Sequence, residues 1–106
     1  MSEETLHAPH LMDLEIAQVI RRYVLAGEMT TRRGSEAIQD LLQLPVTRYP
    51  HDVFLFRIWQ LRHNMTAYDA AYVTLAEALA IPLLTLDKRL ANSRGHKASI
   101  ELIASG

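Results

Sequence analysis

The chain has 106 residues, 49% hydrophobic and 22% charged, with a formal net charge of -1 and no cysteine. That length suits one domain spanning 1–106, since two would each be too small for a good core; the mixed charge excludes a disordered chain, and the lack of cysteine excludes disulfides and thiolate-bound zinc. No apolar run approaches the ~20 residues of a membrane span, and Met1-Ser2-Glu3-Glu4-Thr5 has neither the basic nor the apolar part of a secretory signal, so a cytoplasmic protein without membrane contact is expected.

From the N-terminus, residues 1–6 are expected to be disordered, and His7-Ala8-Pro9-His10 leads straight into a helix over Leu11–Ala26. Pro9 suits the first turn and Gly27 the position just past the end. Met12, Ile16, Val19, Ile20, Tyr23 and Val24 recur at helical spacing and should face the core. Asp13 should point to water, with Glu15 on the margin of the apolar face. A second helix starts at Thr30 or Thr31 and runs to about Leu44, with Ala37, Ile38, Leu41 and Leu42 inward and Gly34 weakening its first turns. Pro45 ends it. Val46-Thr47-Arg48-Tyr49 alternates as a short strand closed by Pro50. Asp52 is read as the cap of a third helix to about His63. Val53, Phe56, Ile58, Trp59 and Leu61 should be largely buried there, and Asn64 should take a left-handed conformation after it.

Asn64–Asp87, NMTAYDAAYVTLAEALAIPLLTLD, is the most informative stretch. Thr66 and Asp69 have the spacing of a capping box. Ala70, Tyr72, Val73, Leu75, Ala76 and Leu79 form a wide apolar stripe, and Ile81-Pro82 stops the helix. Leu83-Leu84-Thr85-Leu86 is a short apolar strand, with Asp87 just past its end, where ligands bind in open α/β sheets. A short helix near Lys88–Ala91, a loop around Arg94-Gly95-His96 and a strand over Ile100–Ile103 follow; Ala104-Ser105-Gly106 should fray. Helices alternating with short strands that lack hairpin signals point to α/β with parallel pairing.

On residues alone, Asp69 reads as a capping acid or a ligand, Asp87 as the cap of the next helix or a ligand, and Glu15 as a rim residue paired with an arginine or a ligand. Lys88, Arg89, Arg94 and Lys97 form a local basic run, equally a solvated face or a phosphate contact. Trp59, Phe54 and Phe56 read as core or dimer contact. The histidines show no metal-binding helical pair, and the serines no nucleophile context.

T-A-Y-D-A-A-Y-V-T-L-A-E-A-L followed by L-L-T-L-D, together with Ala8-Pro9-His10-Leu11-Met12-Asp13-Leu14-Glu15-Ile16 and Arg21-Arg22, resembles the PIN-domain ribonucleases, in particular VapC toxins of VapBC toxin–antitoxin pairs. The resemblance implies a PIN-like α/β fold with a short, mostly parallel sheet flanked by helices. It implies a metal-dependent endoribonuclease using Mg²⁺ or Mn²⁺, which activate water and neutralise phosphate on oxygen ligands. By matching motif, Glu15, Asp69 and Asp87 are the ligand and catalytic carboxylates, Thr85 a supporting hydroxyl behind them, and Lys88 and Arg89 RNA contacts. The implied partners are an RNA substrate, a VapB-type antitoxin and a second copy in a dimer. The helices Leu11–Ala26 and Asp52–His63, through Leu25, Phe54 and Leu55, are expected to supply the dimer surface.

The family's first strand, with its aspartate, and the helix after it find no counterpart, since no strand pattern precedes Leu11. Glu3 and Glu4 are poor substitutes for the absent acid. A catalytically impaired fragment acting as an antitoxin-binding or dimerisation module is therefore the alternative function. The absent strand is expected to lie between Val46–Tyr49 and Leu83–Leu86, leaving a slot that the two strands close directly, that a separate piece fills or, the favoured outcome, that a strand exchanged from another copy or other intermolecular pairing satisfies.

Overall fold

The computed structural model of the protein describes residues 5–103; the expectations for Glu3, Glu4 and Ala104-Ser105-Gly106 lie outside them. The chain divides into two compact units, Met1–Tyr49 and Pro50–Gly106. The architecture is mixed α/β with parallel strand pairs, as the sequence pattern implies.

The first unit runs β1 (Leu6–Pro9), α1 (Leu11–Leu25), α2 (Thr31–Gln43) and β2 (Val46–Tyr49). β1 corrects the expectation that no strand precedes the first helix and that disorder extends to residue 6. It pairs in parallel with β2, from Leu6 opposite Val46 to Pro9 opposite Tyr49, and the His10 N–H extends the ladder to the Tyr49 carbonyl at 2.9 Å. Pro9 thus ends a strand rather than opening a helix; a four-residue run with a proline and a histidine carries too little β signal to be read alone. Val46–Tyr49 has Leu6–Pro9 as a neighbour in one two-stranded sheet, and Leu83–Thr85 pairs with Ile100–Leu102 in another. His7 and Tyr49, diagonal across the pair, join Nδ1 to the phenol oxygen at 2.7 Å.

α1 ends in a Schellman motif: Gly27, at φ +77°, donates to the Val24 carbonyl and Glu28 to that of Tyr23. Thr30 caps α2 by accepting the Arg33 N–H at 3.1 Å. Gly34 is buried against α1; a Cβ there would sit 2.9 Å from Val24 Cγ2. The glycine therefore costs helix propensity but permits the two helices to approach. Asp13 does not face water alone. Its carboxylate takes the Arg48 Nε–H at 3.0 and 2.8 Å, while Arg48 Nη2 donates to the Leu41 carbonyl at 2.7 Å. Val19, Tyr23 and Leu42 are exposed, against expectation.

The second unit runs through a 3₁₀ turn (Asp52–Phe54), α3 (Leu55–Gln60), α4 (Ala67–Leu79), β3 (Leu83–Thr85), α5 (Lys88–Ala91) and β4 (Ile100–Leu102). The expected third helix is broken in two, and Asp52 does not cap it. Ile58 and Leu61 are buried, but Val53, Phe56 and Trp59 are exposed, at 72%, 88% and 64%; six helical residues are too few to turn every apolar side chain inward. The core is α4, where Ala70, Ala71, Val73, Thr74, Leu75 and Ala76 are buried. β3 and β4 pair in parallel, Leu83 opposite Ile100. Asn64 is not left-handed; the non-glycine residue with positive φ among those described is Ala80, at 53°, which ends α4.

Arg57 closes this unit. Its Nε and Nη2 donate to the two Glu77 oxygens at 2.9 and 2.8 Å, and Nη2 also reaches the Gly95 carbonyl at 3.0 Å. The Lys97 N–H donates to Glu77 Oε2 at 2.6 Å. The Arg57 hydrogen bond holds the Glu77 carboxyl below its ordinary 4.5, against the opposing pull of burial.

Candidate active site

A cavity of about 460 Å³ in the second unit is lined by Asp69, Asp87, Thr66, Arg62, Arg89 and neighbouring residues. Local sequence places the carboxylates. Thr66 Oγ1 accepts the Asp69 N–H at 3.1 Å, fixing Asp69 in the first turn of α4. The reciprocal half of the capping box is not made, and the Asp69 carboxylate carries no hydrogen bond among the described residues.

Asp87 stands two residues beyond β3 and caps α5. Its Oδ1 accepts the N–H groups of Arg89 and Leu90 at 2.9 and 3.3 Å. Thr85 Oγ1 accepts the Asp87 N–H at 3.0 Å, so the hydroxyl named from the sequence fixes the turn that presents Asp87. Asp87 is therefore a helix cap, whereas Asp69 sits in a capped turn without itself capping it. Among the described residues Oδ2 of Asp87 and both oxygens of Asp69 accept no hydrogen bond.

Asp69 and Asp87 are thus brought to one cavity. Glu15 lies exposed on α1 of the first unit. Arg89 lines the cavity, whereas Lys88, exposed on α5, is not among its lining residues. Among the described residues no group of three or more His, Cys, Asp or Glu is gathered to hold a metal ion. Two carboxylates still fit Mg²⁺ or Mn²⁺, which keep several waters and take hard oxygen donors.

Arg62 was not among the sequence candidates. Its guanidinium carbon lies 4.6 Å from the centre of the Trp59 ring, and Nη1 donates to the Trp59 carbonyl at 3.0 Å. The three-residue spacing of an aromatic and a cation was a legible signal.

Parallel strand pairs, with one carboxylate past a strand end and another at a helix start, define an α/β protein whose cavity gathers two carboxylates and two arginines. No protein-family model matches the chain. Ribonuclease VapC12 of Mycobacterium tuberculosis is 46% identical over 101 residues, covering 95% of this chain and 78% of that protein. Ribonuclease VapC1 of the same organism is 45% identical over 104 residues, 97% of this chain and 78% of its own. Ribonuclease VapC9 is 42% identical over 103 residues, with 97% and 81% covered. This chain belongs to the VapC ribonuclease family, as its motifs implied.

Proposed function

We propose that the protein is a PIN-like VapC toxin, an endoribonuclease that hydrolyses RNA phosphodiester bonds with Mg²⁺ or Mn²⁺ held by Asp69 and Asp87. What supports this is that Asp69 and Asp87, picked from motifs 18 positions apart in the sequence, line one cavity with carboxylate oxygens left over. The resemblance also implies Glu15, in the first unit, as a ligand carboxylate. A divalent ion bound by Asp69 and Asp87 supplies an activated water and neutralises charge on the phosphate. The protein's own part is positional. Thr66 sets the start of α4 and so the direction of Asp69. Thr85 and the α5 amides hold Asp87 in one rotamer, so its remaining oxygen needs no reordering to bind. Arg89, in the same cavity, offers its guanidinium to the RNA backbone.

The protein would act in the cytoplasm, paired with a VapB-type antitoxin. Among the described residues no helix is long and apolar enough to cross a membrane. The exposed apolar run Val53, Leu55, Phe56 and Trp59 of the second unit favours a protein-binding surface for a second copy or the antitoxin. It is also what a purely antitoxin-binding module would show. RNA cleavage decides between them. Wild-type protein should cleave RNA with Mg²⁺ or Mn²⁺ and stop with EDTA. Asp69→Asn with Asp87→Asn should lower the rate by more than the ~10–100-fold that loss of a ligand's supporting partner costs; undiminished cleavage by the double variant would refute the assignment.

A further inference from the structure

The charge of the cavity poses a problem for an RNA substrate. Asp69 and Asp87 line it together, and each phosphodiester brings another negative charge. A cation held at the rim, but not already paired, would relieve the repulsion. The arginines differ in this respect. Arg48 and Arg57 are paired with Asp13 and Glu77, and Arg32 and Arg33 with acids on α2. Arg62 and Arg89 line the cavity beside the two carboxylates, and among the described residues neither makes an ion pair; Arg62 in addition packs against an aromatic ring. It is not free to wander either: the Trp59 indole supports its plane and the Trp59 carbonyl takes one of its N–H groups. A guanidinium has five N–H donors in a rigid fork, so most remain available, and two of them match the oxygens of a phosphate. Trp59 is 64% exposed, an unfavourable place for an indole unless its face is in use.

We propose that Arg62 binds a backbone phosphate of the RNA beside the carboxylate pair, and that Trp59 is the positioning residue that holds it there. This rests on the ribonuclease reading and adds to it a substrate-binding residue.

The test is binding of a fluorescein-labelled, 2′-O-methyl RNA hairpin to the full chain by anisotropy, across a salt series, beside cleavage of the unmodified hairpin in Mg²⁺. Arg62→Gln should weaken binding about tenfold and reduce the slope of log affinity against log salt by about 1, the loss of one phosphate contact. Arg62→Lys should keep the slope and recover only part of the affinity, because the charge survives and the fork does not. Trp59→Leu should weaken binding severalfold and Trp59→Phe should restore most of it. Arg21→Gln, exposed on α1, should change neither property by more than about twofold. Melting temperatures should match across the Arg62 variants, since the side chain is exposed. Wild-type cleavage with unchanged binding and slope in Arg62→Gln overturns the role of Arg62 alone. A wild type that neither binds nor cleaves the RNA overturns the ribonuclease reading, and this role with it.

Discussion

The two units bury their apolar residues to different depths. In the first, α1 has no buried residue; the close approach of α2 at Gly34 is joined there by the Gly27 turn and the Asp13–Arg48 pair. In the second, six consecutive or near-consecutive residues of α4 are buried, among them Ala70, Ala71 and Ala76. Small side chains let neighbouring backbone come close to α4. The candidate cavity lies beside this packed helix, so its carboxylates inherit a rigid frame. The cavity lined by Asp69 and Asp87 thus lies in the unit with the more deeply buried helix.

The contrast can be broken most sharply at Leu61, 1% exposed. Leu61→Ala should cost ~2–5 kcal/mol by lost burial and a cavity. Leu14→Ala on α1, where the side chain is 72% exposed, should cost within ~0.5 kcal/mol. Urea denaturation compares them, and equal midpoints would remove the distinction drawn between the units.

A smaller effect is expected at the Arg57–Glu77 pair of the second unit. Glu77→Gln should cost ~1.5–3 kcal/mol, the range for hydrogen bonds to a charged group. Because the Glu77 carboxyl is held below its ordinary 4.5, mainly by Arg57, the folded state binds its proton less readily than the unfolded one. Its contribution is therefore full above about pH 4.5 and is lost as pH falls through the lower folded value. Wild type should lose stability across that acid window more steeply than Glu77→Gln, and parallel pH profiles would show that Glu77 is not responsible.

The smallest effect expected is a gain. Ala80 ends α4 at φ 53°, a left-handed conformation that costs a residue with a Cβ ~1–2 kcal/mol. Ala80→Gly should stabilise the chain by up to ~1 kcal/mol, since added freedom in the unfolded chain takes back part of the relief. Calorimetry should register a rise in melting temperature; a fall would mean that the methyl group packs better than its exposure suggests.

Much of this was legible because it is local. Thr66, Thr30 and Gly27 act within three or four residues of themselves, so their roles follow from spacing. Asp69 and Asp87 were found through motifs, and Thr85 through its place two residues before Asp87. What escaped is non-local. β1 exists because β2, forty residues on, offers it a parallel edge. Asp13 meets Arg48, and Arg57 meets Glu77, only after the chain has turned back on itself. Trp59 and Phe56 were expected inside because their spacing is apolar, yet α3 is too short and too abruptly ended by the turn at Leu61–Met65 to bury both faces. Asn64 was expected to supply a left-handed residue. Instead its side chain lies where a Cβ on Gly95 would come within 2.8 Å of Oδ1, a partner that only the folded loop brings near.

Asp87 carries one further implication, for how such a site can change over generations. One of its oxygens is a strut for α5, and the proposed metal role falls to the other, so a single codon would answer for both a helix start and a ligand. Replacement by alanine removes both together. Replacement by asparagine or serine keeps the strut, since both cap helices well, and removes only the charge. Such a lineage would first fall silent as a catalyst while remaining folded, with Arg89 still presented on an intact turn. Loss of toxicity in this chain therefore has a route that leaves its shape, and anything that recognises that shape, unaltered.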